Sequence, residues 1–134
     1  MFHYTLETEA SIPDAVAALE QSLQEERFGV LWRLDLREKL KEKGFDFERG
    51  FVVLEVCSPA DASRVLSENV MAGYFMPCKI VVYEADGKTR IGMAKPTAVM
   101  NMLEDDALKD IAAGVEARLI GCMNRAANRR QENR

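Results

Sequence analysis

Four side chains in the middle of this 134-residue chain have the chemistry to make a site: Glu55, Cys57, Cys78 and Lys79. A thiolate is a nucleophile and a soft-metal ligand, and a nearby ammonium or helix start lowers the pKa at which it forms. A carboxylate inside an apolar strand must be solvated, paired or part of a pocket. Cys57 and Cys78 stand 21 residues apart, outside the C-x-x-C spacing of thioredoxin-like redox sites and zinc knuckles, so only strand pairing can bring them together. Each also neighbours a proline, in Cys57-Ser58-Pro59 and Pro77-Cys78, at strand ends where the ladder does not use every backbone donor. Three readings of the pair are open: small buried hydrophobes, a shared functional pocket, or a disulfide. Glu55 reads as a paired structural carboxylate or a general base, and Lys79 as its partner or as a strand-end lysine whose stem reaches solvent.

The remaining candidates narrow the field. His3 is the only histidine, which excludes a His-rich metal site within one chain and leaves a Cys/His pair dependent on His3 meeting a thiol across the sheet. Cys57, Cys78 and Glu55 make a partial soft-metal set, but a closed zinc site needs four ligands, so no metal is expected. Cys122 falls on the apolar stripe of the last helix. Gly87-Lys88-Thr89 matches only the end of a phosphate loop and runs into a strand instead of a helix. The residues name no cofactor. A net charge of −4 disfavours nonspecific nucleic-acid binding, because an anionic body gains nothing from counterion release. No segment reaches the roughly 18 apolar residues that a membrane span requires, and the start of the chain has no targeting pattern, so a cytoplasmic location is expected. The odd cysteine count agrees with a reducing compartment.

Both thiols sit on segments that read as strands. Phe51–Cys57 is rich in β-branched residues and stops at Ser58-Pro59, with Val52, Leu54 and Val56 on one face and Phe51, Val53, Glu55 and Cys57 on the other. Met76–Glu84 places Cys78, Ile80 and Val82 opposite Pro77, Lys79, Val81 and Tyr83, which makes Lys79 the natural partner of Glu55. Between them Pro59–Asn69 reads as a helix capped by Ser58, with Ala62, Val65 and Leu66 inward. The apolar link Val70–Phe75 must be buried, covered by a second subunit, or the lid of a cavity.

The rest of the chain supplies a sheet and its cover. Phe2–Thr8 is a strand. Ser11-Ile12-Pro13-Asp14 starts a helix, with Ile12, Val16, Leu19 and Leu23 along one side. Gly29–Asp35 is a strand with Val30, Trp32 and Leu34 on one face, followed by a short charged helix that Gly44 closes. Phe45, Phe47 and Phe51 either seat this insertion against the sheet or line a ligand pocket. Asp86-Gly87 is a hairpin turn leading to a strand over 89–94, and Pro96–Met102 an extended or turn segment. Leu108, Ile111, Val115, Leu119 and Cys122 stripe a final helix. From about Asn124 a frayed tail is expected, its four arginines and one glutamate giving net +3 on a body of −7. Residues 1–123 thus form one domain and 124–134 a basic tail. The fold class is α+β in two layers, with helices covering one face of an antiparallel sheet.

Glu55-Val56-Cys57-Ser58-Pro59 with Ala60 and Ala62, followed by Met76-Pro77-Cys78-Lys79-Ile80-Val81-Val82-Tyr83-Glu84, resembles the paired Cys-x-Pro and Pro-Cys blocks of the bacterial and archaeal domain-of-unknown-function family numbered 302. Gly29-Val30-Leu31 and Leu40–Gly44 are similar to its less specific leading blocks. The resemblance implies a TATA-binding-protein-like fold, β-α-β(4)-α with a short extra helix, on a curved antiparallel sheet, and a homodimer. It marks Glu55, Cys57, Pro59, Pro77, Cys78 and Lys79 as the shared site without assigning roles. Ser58 stands where the family often has Asn. Fold similarity does not carry DNA binding with it. The expected function is noncatalytic binding of a small ligand or partner in a pocket beside Cys57 and Cys78. The alternatives are a thiol-dependent redox or transfer enzyme, and a structural homodimer.

Overall fold

The structure, a computed structural model, describes residues 1–132, with side chains as far as Asn128. Its strands are β1 (His3–Thr8), β2 (Gly29–Asp35), β3 (Phe51–Cys57), β4 (Cys78–Ala85) and β5 (Lys88–Ala94). The helices are α1 (Ile12–Glu25), α2 (Leu36–Glu42), α3 (Pro59–Glu68), α4 (Pro96–Met100) and α5 (Asp106–Glu132). All five strands pair antiparallel in the order β1-β5-β4-β3-β2. One sheet face is covered by α1 and α5, which is the α+β arrangement the patterning predicts.

The covered face is the alternating set of β3 and β4: Leu54, Ile80 and Val82 are fully buried, as are Leu19 and Leu23 of α1 and Leu119 of α5. Local chemistry sets the helix starts. The Ser11 hydroxyl accepts from Asp14 N, Asp35 accepts from Glu38 N, and Ser58 accepts from Asp61 N, each bond satisfying an otherwise orphaned N–H. The Asp86-Gly87 turn has positive φ at both residues, 54° and 76°, as a type I′ hairpin requires.

Four expectations are corrected. The strict alternation of β2 fails because a bulge lies between Val30 and Trp32. Val30 therefore packs on the core opposite Val56, while Trp32 and Leu34 face the uncovered side opposite Glu55 and Val53. Phe45 is exposed and does not seat the insertion; Phe47 and Phe51, which stacks on Tyr83, do so. Leu66 is exposed, and the inward side of α3 is carried by Val65. The segment from Pro96 is α4 and a 3-10 turn, Asn101–Leu103, and α4 receives its cap from a distance: the Thr97 N–H and hydroxyl both donate to Glu116 of α5, at 3.0 and 2.7 Å.

Nor does the last helix fray at Asn124. Asn124 accepts a hydrogen bond from the Tyr4 hydroxyl, Thr8 donates to the Ala127 carbonyl, and Ala126 and Ala127 are buried against β1 and α1. Two small side chains let the helix lie close enough to continue. The arginines at 129, 130 and 134 of the expected basic tail fall beyond the side chains described. Among the described residues no helix is long and apolar enough to cross a membrane.

Candidate functional site

The two cysteines come together because β3 ends where β4 begins. Val56 pairs with Cys78 and Glu55 with Lys79, so Cys57 and Cys78 lie within one register step at the same end of the sheet. The intervening chain crosses that end as α3 and a 3-10 turn, Val70–Phe75, before a cis Met76–Pro77 bond enters β4. Both cysteines are free thiols. By alternation Cys57 would follow Glu55 to the uncovered face, but the chain turns into α3 at Ser58 and Cys57 lines a small, partly open cavity together with Cys78.

That cavity holds about 50 Å³ and lies along the seam between two apolar clusters. Phe28, Val56, Val115 and Cys78 come from the main core; Val65, Met76, Met100, Leu108 and Ala112 come from a smaller cluster under α3, α4 and the start of α5. Outside it, across Met76, Pro77, Cys78, Pro96 and Met100, runs an open groove of about 410 Å³ bounded also by Glu55, Tyr74, Phe75, Lys79, Ala94 and Val99. The inner cavity is too small for a metabolite, whereas the groove falls in the ~300–1,000 Å³ range of ligand pockets. The link over 70–75 is part of the groove's rim: Ala72 is fully buried and anchors it, while Val70 and Tyr74 are exposed.

Electrostatics at the site keep the thiols protonated. Burial pushes the Cys78 thiol up to about 11, with repulsion from Cys57, Glu55 and Asp61 adding to it. Burial, and then Asp61, raise Cys57 as well. Lys79, the cation expected to lower a thiol, instead pairs with Glu55 at 3.8 Å. Asp61, on the first turn of α3, is held below the usual carboxylate range. Its burial alone would raise it, but the Ser58 hydrogen bond and the guanidinium groups of Arg118 and Arg64 more than offset that. Arg118 reaches from α5 to Asp61 at 2.5 Å, donates to the Glu26 carbonyl at 2.8 Å, and lies over the Phe28 ring at 4.6 Å.

Of the six residues marked in the sequence, Cys57, Pro77 and Cys78 line the inner cavity, and Glu55, Pro77, Cys78 and Lys79 line the groove. Pro59 lines neither; it is exposed in the first turn of α3, where its missing N–H costs nothing. His3 lines neither, although it pairs across the ladder with Ala94 of the groove; its ring nitrogen is bonded to the Thr5 hydroxyl at 2.9 Å. Cys122 is fully buried between α5 and α1, its thiol directed at the Ser22 carbonyl. Sequence reasoning missed Asp61, Met76, Met100 and Arg118. Only Met76, next to Pro77, carried a local signal.

A family model described as "Domain of unknown function DUF302" matches residues 4–126. Among solved structures, the crystal structure of an uncharacterized conserved DUF302 protein from Bacillus stearothermophilus matches with 52% sequence identity and a TM-score of 0.92. The match covers 94% of this chain and 98% of the other. No curated protein matches.

Proposed function

The chain belongs to the DUF302 family, and we propose that it is a noncatalytic binding domain whose groove beside Pro77 and Cys78 takes a small ligand with an apolar body and a charged end. The observation that carries this reading is the pairing of an apolar groove of about 410 Å³ with the Glu55–Lys79 pair on its wall. Lys79 is 60% exposed and gives an anionic head a partner, while Phe75, Met76 and Val99 accept the body. Glu55 and Lys79 hold the polar end, and Cys57, Pro77 and Cys78 form the wall behind it. Pro59 acts one step removed, by fixing the start of α3. A thiol-dependent redox or transfer enzyme is the alternative, and the raised thiols weigh against it.

An anilinonaphthalenesulfonate dye has the required chemistry and supplies the test. It is expected to bind saturably to one site in the native protein. Ala94→Trp places an indole in the groove from an exposed strand end and is expected to weaken the dye about tenfold or more, equivalent to about 1.4 kcal/mol. Equal dye binding by the folded variant sinks the groove reading.

A homodimer is the second reading. It rests on the edge strand β2, where Leu31 and Trp32 are 61% and 53% exposed, an apolar edge of the kind that proteins cover. Trp32→Glu is expected to convert a dimer to a monomer in sedimentation at micromolar concentration, and a native chain that sediments only as a monomer removes the idea. We further propose that the fold is a TATA-binding-protein-like β-α-β(4)-α arrangement into which α2, α3 and α4 are inserted, in a single cytoplasmic domain with no nucleic-acid role.

A further inference from the structure

We propose that the inner cavity is a binding site for a soft monovalent metal ion, copper(I), held by the sulfur atoms of Cys57, Cys78, Met76 and Met100. All four residues line the same space of about 50 Å³, which has room for an ion. Three of them, Met76, Cys78 and Met100, also line the open groove, so the ion has a path in from solution. The proposal deepens the binding reading at the groove's inner wall, and rests on it only in taking this end of the sheet as the site.

The donor chemistry selects the metal. Thiolate and thioether sulfur together favour copper(I), whereas a closed zinc site draws its four ligands from thiolate, imidazole and carboxylate. Among the described residues no group of three or more His, Cys, Asp and Glu side chains is placed to hold a metal; thioethers complete this set where carboxylates and imidazoles do not. The other walls are mostly apolar, among them Phe28, Val56, Val65, Leu108 and Val115; the two oxygen-bearing ones, Ser58 and Asp61, are engaged at the start of α3 and by Arg118.

Binding balances simply. One copper(I) ion displaces one proton from each thiol, two sulfur–copper bonds form to thiolates and two to neutral thioethers, and the complex carries a single negative charge. No electron is transferred. Arg118, over the Phe28 ring and paired with Asp61, offsets the charge of the carboxylate that borders the cavity.

The test uses the full chain, reduced and kept anaerobic, titrated with copper(I) buffered by bathocuproine disulfonate. Uptake of one equivalent with thiolate-to-copper charge-transfer absorption is the expected result. Cys57→Ser and Met100→Leu are each expected to weaken it by at least the roughly 10–100-fold that even an outer-shell change costs a metal site. Cys122→Ala is expected to leave it unchanged. Circular dichroism establishes that each variant is folded. The site is overturned if the reduced native chain takes up no copper(I), if folded Cys57→Ser or Met100→Leu binds like the native chain, or if uptake follows Cys122. Ala94→Trp separates the two readings: dye binding lost with copper uptake intact supports both. Copper failure with normal dye binding removes the metal site alone. Dye failure in the native chain with normal copper uptake removes the groove ligand alone.

Discussion

Replacing Arg118 by methionine is expected to lower the free energy of unfolding by about 2–3 kcal/mol, read from urea denaturation at neutral pH. The side chain bonds Asp61 and the Glu26 carbonyl and covers Phe28. Methionine keeps much of the packing and removes every donor. Asp61, only 14% exposed, is then left with its Ser58 hydrogen bond and the longer, outer contact to Arg64 at 3.7 Å. Breaking a fully buried pair costs about 3–5 kcal/mol; because Arg118 is itself 36% exposed, water recovers part of the loss. The effect must also depend on pH. A carboxyl held below its ordinary value contributes its full stabilisation above the unfolded pKa of about 3.9 and loses it as pH falls through the lower folded value. The gap between native and variant should therefore be constant from pH 7 to about pH 5 and close below about pH 4. In an Asp61→Asn background the same replacement should cost about half as much or less, since the charged partner is gone. A gap that is small at pH 7, or that persists unchanged in acid, means that Arg118 acts through packing alone.

That ion pair also marks the limit of reading this chain as a sequence. What was legible was local or imposed by strand pairing. The β-branched runs announced β3 and β4, and an antiparallel ladder between them leaves little choice but to set Glu55 opposite Lys79 and Cys57 near Cys78. Capping residues and the Asp-Gly turn fixed several boundaries for the same reason, because the partner lies two or three residues away. The rest depended on contacts with no signature in the chain. Asp61 meets Arg118 across 57 positions, and Thr97 meets Glu116 only because α4 folds onto α5. A bulge in β2 inserts one residue and thereby moves Trp32 to the opposite face, a change that alternation cannot anticipate. Met76 and Met100, 24 positions apart in the chain, share no pattern that links them, and they meet only at the seam between two apolar clusters.

Cys78 is expected to resist alkylation at pH 7.5, and its reaction rate should keep climbing with pH where an ordinary thiol levels off. A thiol pushed from 9.0 to about 11 has about a hundredfold less thiolate at neutral pH. Its more basic thiolate is intrinsically the better nucleophile, which with a Brønsted slope of about 0.4–0.5 returns up to about tenfold. The net expectation is at least about a tenfold slowing, before the burial of the sulfur is counted. The sign of the pH dependence follows from the raised value: the thiolate fraction grows about tenfold per pH unit until near 11, while that of an unperturbed thiol saturates above about 9. Cys57 is raised too but is more exposed, and should be modified first. Cys122, fully buried between α1 and α5, should react only on unfolding. Peptide mass mapping after timed iodoacetamide pulses reads all three sites in one experiment. Rapid modification of Cys78 at pH 7.5 would require a cation near its sulfur, and Lys79, the adjacent one, is paired with Glu55. The thiol-enzyme alternative would then gain what it lacks, a nucleophile formed at neutral pH. Slow modification leaves the Cys78 thiol protonated at rest, suited to a binding wall and able to lose its proton to an ion that replaces it.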